Sequence, residues 1–284
     1  FLNYYARLSL WVGAVNGRGD TLVTSGDGNE LTSRPEWAPI ARTWRADAAT
    51  GLRDVKEVIR NEFHDMLRFK GHTPLGLKVS QQVYSLMDKG LAVLRFQVTS
   101  AEGSDKLKDV YVGLMADVDV PDKNNQVTPD DDRVSLLLSN AVPYIADGQA
   151  SLSEGEFFAV VGLGDHPPTV SCWTRDQDPR DDAERYRLLK GEAQHAPKGL
   201  GDYRFLVSNG PYQLGPGDTI VFCVAFVQAR GLDNLRLATH DADDFFKNAL
   251  AGKSLPKGTR GAPAQSSMSG RALDRFELYQ NHPN

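Results

Sequence analysis

The sequence of 284 residues has few cysteines and no long apolar run. Its two cysteines, Cys172 and Cys223, do not form a metal-ligand pattern. A disulfide between them would fit an oxidising compartment, and two buried unpaired thiols are the alternative. No stretch approaches the roughly 20 apolar residues that a membrane-spanning helix needs. We therefore expect no membrane span.

The sequence also lacks an excess of positive charge. Lysine and arginine total 32 against 37 aspartates and glutamates, giving a net charge of −5, and no basic stripe stands out. Nucleic acids and anionic membranes are therefore not expected as partners. The familiar catalytic motifs are missing too: no His-Glu-x-x-His or Gly-x-Ser-x-Gly occurs, and the six histidines are scattered. We predict that the chain is not an enzyme.

Most of the sequence consists of segments in which apolar and polar residues alternate, separated by turn residues. Residues 5–25 predict a β-hairpin, and residues 75–86 and 91–100 predict a second one. Residues 107–120 predict a further strand of the same meander. The stretch DTIVFCVAFVQ is apolar on both faces, which indicates a central strand that is covered on both sides. The preceding Gly-Pro-Gly-Asp predicts a tight turn.

Two segments have apolar residues at helical spacing, residues 52–68 and 233–251. The fold class predicted is mainly β, a two-sheet β-sandwich of antiparallel hairpins and meanders with one or two peripheral helices. Residues 1–251 form this domain in our prediction. Residues 252–271 are rich in glycine, proline, serine and lysine and predict a flexible linker. Residues 272–284 become apolar again and begin a separate segment.

Six aspartates fall within sixteen positions at the end of the predicted strand 107–120. In an extended chain Asp117 and Asp119 point to the same side, where their charges repel unless a cation or basic residues neutralise them. Carboxylate, amide and main-chain oxygens in a flexible loop are the ligands that calcium prefers, although the spacing is not that of an EF-hand. The alternative is a solvated acidic loop, partly offset by Lys123 and Arg133. The predicted calcium ligands are Asp117, Asp119, Asp122, Asn124, Asp130, Asp131 and Asp132.

The C-terminal stretch RFELYQNHPN resembles the opening of the C-terminal sorting domain of proteins exported by the bacterial type IX secretion system. The pattern, an aromatic residue followed by Leu, Gln-Asn and Pro-Asn, is filled by Phe276, Leu278, Gln280, Asn281, Pro283 and Asn284. His282 departs from it, since an aromatic residue is usual there. The resemblance implies that the type IX machinery recognises the C-terminus of this protein. At the other end, the opening FLNYYARLSL has no methionine and no signal peptide, which leads us to expect a mature or trimmed chain.

The body of the chain resembles the β-rich region that precedes such sorting domains. The matching segments, in order, are residues 8–15, 72–85, 107–134 and 203–227. This resemblance implies a secreted or cell-surface location, and it does not define an activity. We therefore expect a non-catalytic structural β-domain with a calcium-stabilised acidic loop. It would be a building block of a larger extracellular protein or of a self-assembling surface structure or filament.

Two alternatives remain open. Trp11, Trp37, Trp44 and Trp173 would offer a glycan a stacking platform if they were exposed, as in a carbohydrate-binding module. Core packing is the alternative for these residues, most clearly for Trp11, whereas Trp37 and Trp44 stand in a loop-rich region. A glycoside hydrolase would instead use two aspartates of the acidic run as acid and base.

Overall fold

The computed structural model describes residues 5–27, 34–47, 52, 54–122, 124, 126–137, 142–164, 167–192 and 199–251. The predicted linker and the sorting segment, residues 252–271 and 272–284, lie outside the described residues.

Within the described residues the chain forms thirteen strands, two α-helices and three short 3-10 helices, so the mainly β prediction is confirmed. The strands are β1 Tyr5–Val15, β2 Thr21–Ser25, β3 Ala38–Asp47, β4 Glu57–His64, β5 Leu77–Leu86, β6 Leu91–Ser100, β7 Leu107–Val118, β8 Asp132–Leu137, β9 Val142–Asp147, β10 Glu156–Leu163, β11 Thr169–Thr174, β12 Tyr203–Leu214 and β13 Thr219–Arg230. The helices are α1 Asp182–Leu189 and α2 Leu232–Phe245, and a π-helical turn, Phe246–Leu250, extends α2.

The strands form two antiparallel sheets that pack face to face, as predicted. One sheet has five strands in the order β11-β12-β7-β1-β2, and the other has eight in the order β3-β4-β5-β6-β13-β10-β9-β8. The core between them takes alternate residues of both sheets, such as Leu114 and Phe205 from the first and Phe96 and Phe222 from the second. Helix α1 covers the outer face of the five-stranded sheet, and α2 covers part of the outer face of the eight-stranded sheet.

The two predicted hairpins and the central strand are confirmed. β1 pairs with β2, and β5 pairs with β6, in each case antiparallel and across the predicted turn. β13 lies between β6 and β10, with Phe222 in the inter-sheet core and Ala225 in the cluster beneath α2. The Gly-Pro-Gly-Asp turn also forms, because the Asp218 amide donates to the Gly215 carbonyl oxygen (3.0 Å).

The helix predicted over residues 52–68 is wrong. Residues 57–64 form β4, which pairs with β3 on one side and with β5 on the other. Both faces of this strand are partly covered: Phe63 packs into the inter-sheet core, whereas Val58 packs into the outer cluster. A strand buried on both faces places apolar residues at spacings that also fit a helix, so pairing with two neighbours decided the outcome.

Helix 233–251 is confirmed by α2 and its π-helical extension, whereas α1 is not predicted by its sequence. α1 has only eight residues, and its apolar spacing is weak. It begins at an N-cap, Asp181, whose side chain accepts a hydrogen bond from the Glu184 amide (2.9 Å). Leu189 and Tyr186 then pack against the tryptophan side chains on the outer face of the five-stranded sheet.

The two cysteines are unpaired and buried. Cys172, on β11, faces the core between the sheets, while Cys223, on β13, faces the outer cluster beneath α2. The buried-thiol alternative is therefore the correct one. Burial raises the pKa of each thiol to about 12, so neither resembles an activated nucleophile.

Candidate metal centre

The centre of the acidic site is a row of charged residues across three strands of the five-stranded sheet. Asp117 on β7 lies opposite Arg7 on β1 and opposite Arg204 on β12. The residues on either side of Asp117, Ala116 and Val118, pack into the inter-sheet core. Because side chains alternate along a strand, the row Arg7–Asp117–Arg204 lies on the outer face of the sheet.

Both arginines contact the same oxygen of Asp117. Arg204 Nη2 lies 3.1 Å from Asp117 Oδ2, and Arg7 Nε lies 3.4 Å from it. The other oxygen, Asp117 Oδ1, is buried and has no hydrogen-bond partner, in a residue that is 3% exposed. Asp117 Oδ2 is thus paired with two arginines, whereas Asp117 Oδ1 is in contact with neither water nor a protein donor.

The two arginines are shared among more carboxylates than they can neutralise. Arg7 also contacts Asp27 (3.7 Å) and Asp178 (3.2 Å). Arg204 also contacts Asp178 (3.4 Å) and forms a close ion pair with Asp202. Four carboxylates therefore contact two guanidinium groups, and the exposed Arg175 adds only a contact of 3.9 Å to Asp202. The region retains negative charge.

Asp119 completes a group of three carboxylates. One ligand oxygen of each of Asp117, Asp119 and Asp202 lies within 4.8 Å of the others. The strand register explains this placement. Because Arg204 pairs with Asp117 in an antiparallel ladder, Asp202, two residues earlier, lies next to Asp119, two residues later. No basic group of the described residues lies within ion-pair distance of Asp119, although the charge of Arg204 lowers its pKa.

Asp132, the first residue of β8, links the eight-stranded sheet to this site. Asp132 is fully buried, and its Oδ2 accepts a hydrogen bond from the Val120 amide (3.3 Å), while its Oδ1 has no partner. The Gly201 amide donates to the Asp132 carbonyl oxygen (3.0 Å). This bond joins the turn that carries Asp202 to the start of β8.

The electrostatics of the site disfavour ionised carboxylates. Burial raises the pKa of Asp117 to about 6, even though Arg204 and Arg7 oppose the shift. Burial also raises the pKa of Asp132 to about 9, and the charges of Asp119, Asp131 and Asp147 add to the rise. The pKa of Asp119 is raised first by burial and then by the charge of Asp202. A bound cation would reverse these effects.

The predicted ligands separate into three groups. Asp117 and Asp119 belong to the cluster of three carboxylates, and Asp131 and Asp132 lie beside it. Asp130 is exposed. Asp122 and Asn124 form a local turn, in which Asp122 Oδ1 accepts hydrogen bonds from the amides of Asn124 (2.8 Å) and Gln126 (2.9 Å).

Asp202 was not among the predicted ligands. It lies 85 positions after Asp117 in the sequence and outside the acidic run. Its placement follows from the pairing of β12 with β7, which no local pattern reveals. The only signal in the sequence is an aspartate immediately before a strand.

The donor set fits a hard cation. The cluster offers carboxylate oxygens, and none of its members is a histidine or a cysteine. Calcium binds oxygen at about 2.3–2.6 Å, so two ligands on opposite sides of the ion are about 5 Å apart. The three carboxylate oxygens lie within 4.8 Å of one another, a separation that either calcium or the smaller magnesium ion can bridge.

The tryptophans do not form a sugar-binding platform in the described residues. Trp11, Trp37 and Trp173 are all buried, and the side chain of Trp44 lies outside the described part. For Trp37 the core-packing alternative is the correct one: it is 4% exposed, packs edge-on against Phe63, and donates its Nε1 hydrogen to the Leu10 carbonyl oxygen (3.0 Å). The reason is the tertiary contact with β4, which the sequence around Trp37 does not indicate.

No helix in the described residues has the length and apolar character needed to cross a membrane.

Comparisons with known proteins yield distant structural similarity only. No protein-family model and no curated protein matches the sequence. Among solved structures, GH36 α-galactosidase AgaB from Geobacillus stearothermophilus matches with a TM-score of 0.42 and 10% identity, over 86% of this chain and 32% of that chain. An α-galactosidase from Lactobacillus brevis has a TM-score of 0.41 and 10% identity, over 83% and 31% of the two chains. A bacterial glucoamylase in complex with acarbose has a TM-score of 0.49 and 8% identity, over 84% and 28%.

This chain therefore spans about a third or less of the length of the three enzymes. With all three TM-scores below 0.5, the similarity does not extend an activity or a substrate to this chain.

Proposed function

We propose that this chain is a non-catalytic, extracellular β-sandwich module that binds one calcium ion through Asp117, Asp119 and Asp202. The observation that carries the proposal is the unpartnered oxygen of Asp117, buried within a group of three carboxylates that two arginines neutralise only in part. A buried, uncompensated carboxylate is costly, and a divalent cation with oxygen ligands removes that cost.

The role of the ion would be structural. Asp117 and Asp119 mark the end of β7, and Asp202 marks the start of β12. Through the bonds of Val120 and Gly201 to Asp132, the same place is tied to the first residue of β8 in the other sheet. An ion here would join strand ends of both sheets and fix the two ends of the long connection between β7 and β8.

The extracellular part of the proposal rests on the sequence resemblance to type IX secretion cargo. Delivery would use the C-terminal segment that begins near Leu273, and the module would be a building block of a larger exported protein or of a surface assembly. Calcium sites of extracellular modules bind with dissociation constants of about 10⁻⁴–10⁻³ M. We expect an affinity in this range, because Arg7 and Arg204 compete with the ion for Asp117.

The sharpest test uses Asp119→Asn, because Asp119 contacts neither arginine. In the wild type, calcium should raise the melting temperature and bind in calorimetry, and terbium should show luminescence sensitised by Trp173, whose Nε1 donates to Asp178 (2.8 Å). Asp119→Asn should lose all three responses. Asp202→Asn should do the same.

Asp122→Asn is the matched control, because the Asp122 carboxylate serves a local turn. It should keep the calcium response of the wild type. Identical melting of the wild type with calcium and with chelator would overturn the calcium site. Hydrolysis of a glycoside, or retention on an insoluble polysaccharide, would instead overturn the non-catalytic structural role.

A further inference from the structure

A second row of polar residues crosses the outer face of the eight-stranded sheet. Arg60 on β4 lies opposite Gln82 on β5, which lies opposite Arg95 on β6, which lies opposite Cys223 on β13. Cys223 belongs to the outer cluster beneath α2, whereas the neighbours of Arg95 along its strand pack into the inter-sheet core. The row Arg60–Gln82–Arg95 is therefore on the outer face.

Both arginines hold guanidinium nitrogens that are buried without a partner. Arg95 is 7% exposed and its Nη1 has no hydrogen-bond acceptor, and Arg60 is half-buried and its Nε has none. Among the described residues, no acidic side chain lies within ion-pair distance of either arginine. The acid that follows Arg60 on the same face of β4 is Glu62, which is exposed. A buried guanidinium without an anion is costly, so this arrangement calls for one.

Gln82, between the two arginines, presents a third donor. The Tyr84 hydroxyl donates to Gln82 Oε1 (3.0 Å), which occupies the acceptor end of the amide and leaves the NH₂ group as its donor end. The row therefore offers hydrogen-bond donors from three adjacent strands.

The Tyr84 hydroxyl lies within the electrostatic influence of both arginines. Burial raises the pKa of the Tyr84 hydroxyl, and the positive charges of Arg95 and of Arg60 both lower it. Arg95 likewise opposes the burial that raises the pKa of the Cys223 thiol to about 12. Adjacent strands are about 4.8 Å apart, so the arginine backbones are about 10 Å apart, with Gln82 midway between them. Two long side chains can converge on one small group over that distance.

We propose that Arg60, Gln82 and Arg95 form a binding site for a small oxyanion. The ligand chemistry is that of a carboxylate, sulfate or phosphate group, which accepts hydrogen bonds from guanidinium forks and from an amide. The group would come from a free ion or from an acidic substituent on a saccharide. This site lies on a different sheet from the acidic cluster and does not depend on the proposed calcium site.

The test compares melting and calorimetric titration with sodium sulfate and sodium acetate against sodium chloride at matched ionic strength. For the wild type, sulfate or acetate should bind and raise the melting temperature above that in chloride. Arg95→Met and Arg60→Gln should each weaken binding by about tenfold or more, because each removes a charge-assisted contact. In chloride, Arg95→Met should melt no lower than the wild type, since it removes an unpaired buried charge.

Arg236→Gln is the matched control, because Arg236 is an exposed arginine that pairs with Asp233 (2.7 Å). It should respond to sulfate as the wild type does. If Arg95→Met does not fold, Arg60→Gln carries the test alone. No binding of either anion to the wild type, or equal binding by the wild type and the Arg60 and Arg95 variants, would overturn the site.

Dextran sulfate and neutral dextran distinguish the two sources of the anion. Tighter binding of dextran sulfate than of free sulfate, per sulfate group and lost in Arg60→Gln, would identify an acidic saccharide. If dextran sulfate and free sulfate bind equally per sulfate group, and Arg60→Gln abolishes both, the ligand would be the free ion. Dextran sulfate binding that survives in Arg60→Gln would contradict the site, because it would come from elsewhere on the chain.

Discussion

The outer faces of the two sheets carry arginines of nearly equal burial in opposite surroundings. Arg204, on the five-stranded sheet, is 5% exposed and contacts three carboxylates, while Arg95, on the eight-stranded sheet, is 7% exposed and has no acidic partner among the described residues. Both stand in a row of directly opposed residues across three strands. In both places the strand register aligns the residues of the row across the sheet, and only the residue types differ.

The two sites differ in the net charge of the row together with the carboxylates that contact it, and not in burial. The row Arg7–Asp117–Arg204 is itself net positive, but three further aspartates contact its arginines and leave the site net negative, which favours a cation. The row Arg60–Gln82–Arg95 contains no acid, so its positive charge is uncompensated and favours an anion. Each row has buried polar atoms without a hydrogen-bond partner, and only the first row includes an acceptor among them, Asp117 Oδ1.

The largest effect should come from the same substitution made on both sheets. Arg204→Met removes the buried cation that contacts Asp117, Asp178 and Asp202 and leaves them only Arg7 and the exposed Arg175. We therefore expect a loss of about 3–5 kcal/mol in the free energy of unfolding without calcium. Arg95→Met should change that free energy by about 1 kcal/mol or less, or increase it. Denaturant unfolding of both variants measures the difference. Equal losses would mean that burial, and not pairing, governs the two sites.

A smaller effect should appear in the pH dependence of the acidic side. The folded chain raises the pKa of Asp132 to about 9 and that of Asp117 to about 6, from ordinary values of about 3.9. The folded state thus holds these protons more tightly than the unfolded state does. The protonated Asp117 and Asp132 side chains therefore contribute fully to the free energy of unfolding below a pH of about 4. The contribution of Asp117 is lost as the pH rises through about 6, and that of Asp132 as the pH rises through about 9.

Denaturant unfolding in chelator between pH 4 and pH 9 should therefore show this decline, and calcium should reduce it. Asp132→Asn is the control that should flatten the decline in chelator. Part of the slope should remain in that variant, because burial also raises the pKa of Glu36 to about 8. Stability that rises from pH 6 to pH 9 in chelator would contradict the assignment.

The smallest effect concerns the cysteines, which belong to different sheets. Because Cys172 and Cys223 are buried on different faces and unpaired, a reducing agent should leave the melting temperature unchanged. A thiol reagent should label neither cysteine in the native chain and both after unfolding. A lower melting temperature in reductant would indicate a disulfide that this fold does not accommodate.

The sequence was sufficient where the signal is local. The hairpins β1-β2 and β5-β6 follow from alternation and turn residues, and α2 follows from its apolar spacing. Asp117 and Asp119 share a side because residues two apart in a strand always do. The segment 52–68 was misassigned because a strand covered on both faces carries the same apolar positions as a helix, and only its pairing with β3 and β5 separates the two.

The composition and local spacing of this chain determined its class: a mainly β domain with turns and an acidic run after β7. The tertiary structure alone decided which residues share a site. Asp202 reaches Asp119, and Arg60 reaches Gln82 and Arg95, because backbone hydrogen bonds align strands that are distant in sequence. That alignment depends on the packing of whole sheets, and a short stretch of sequence carries no record of it.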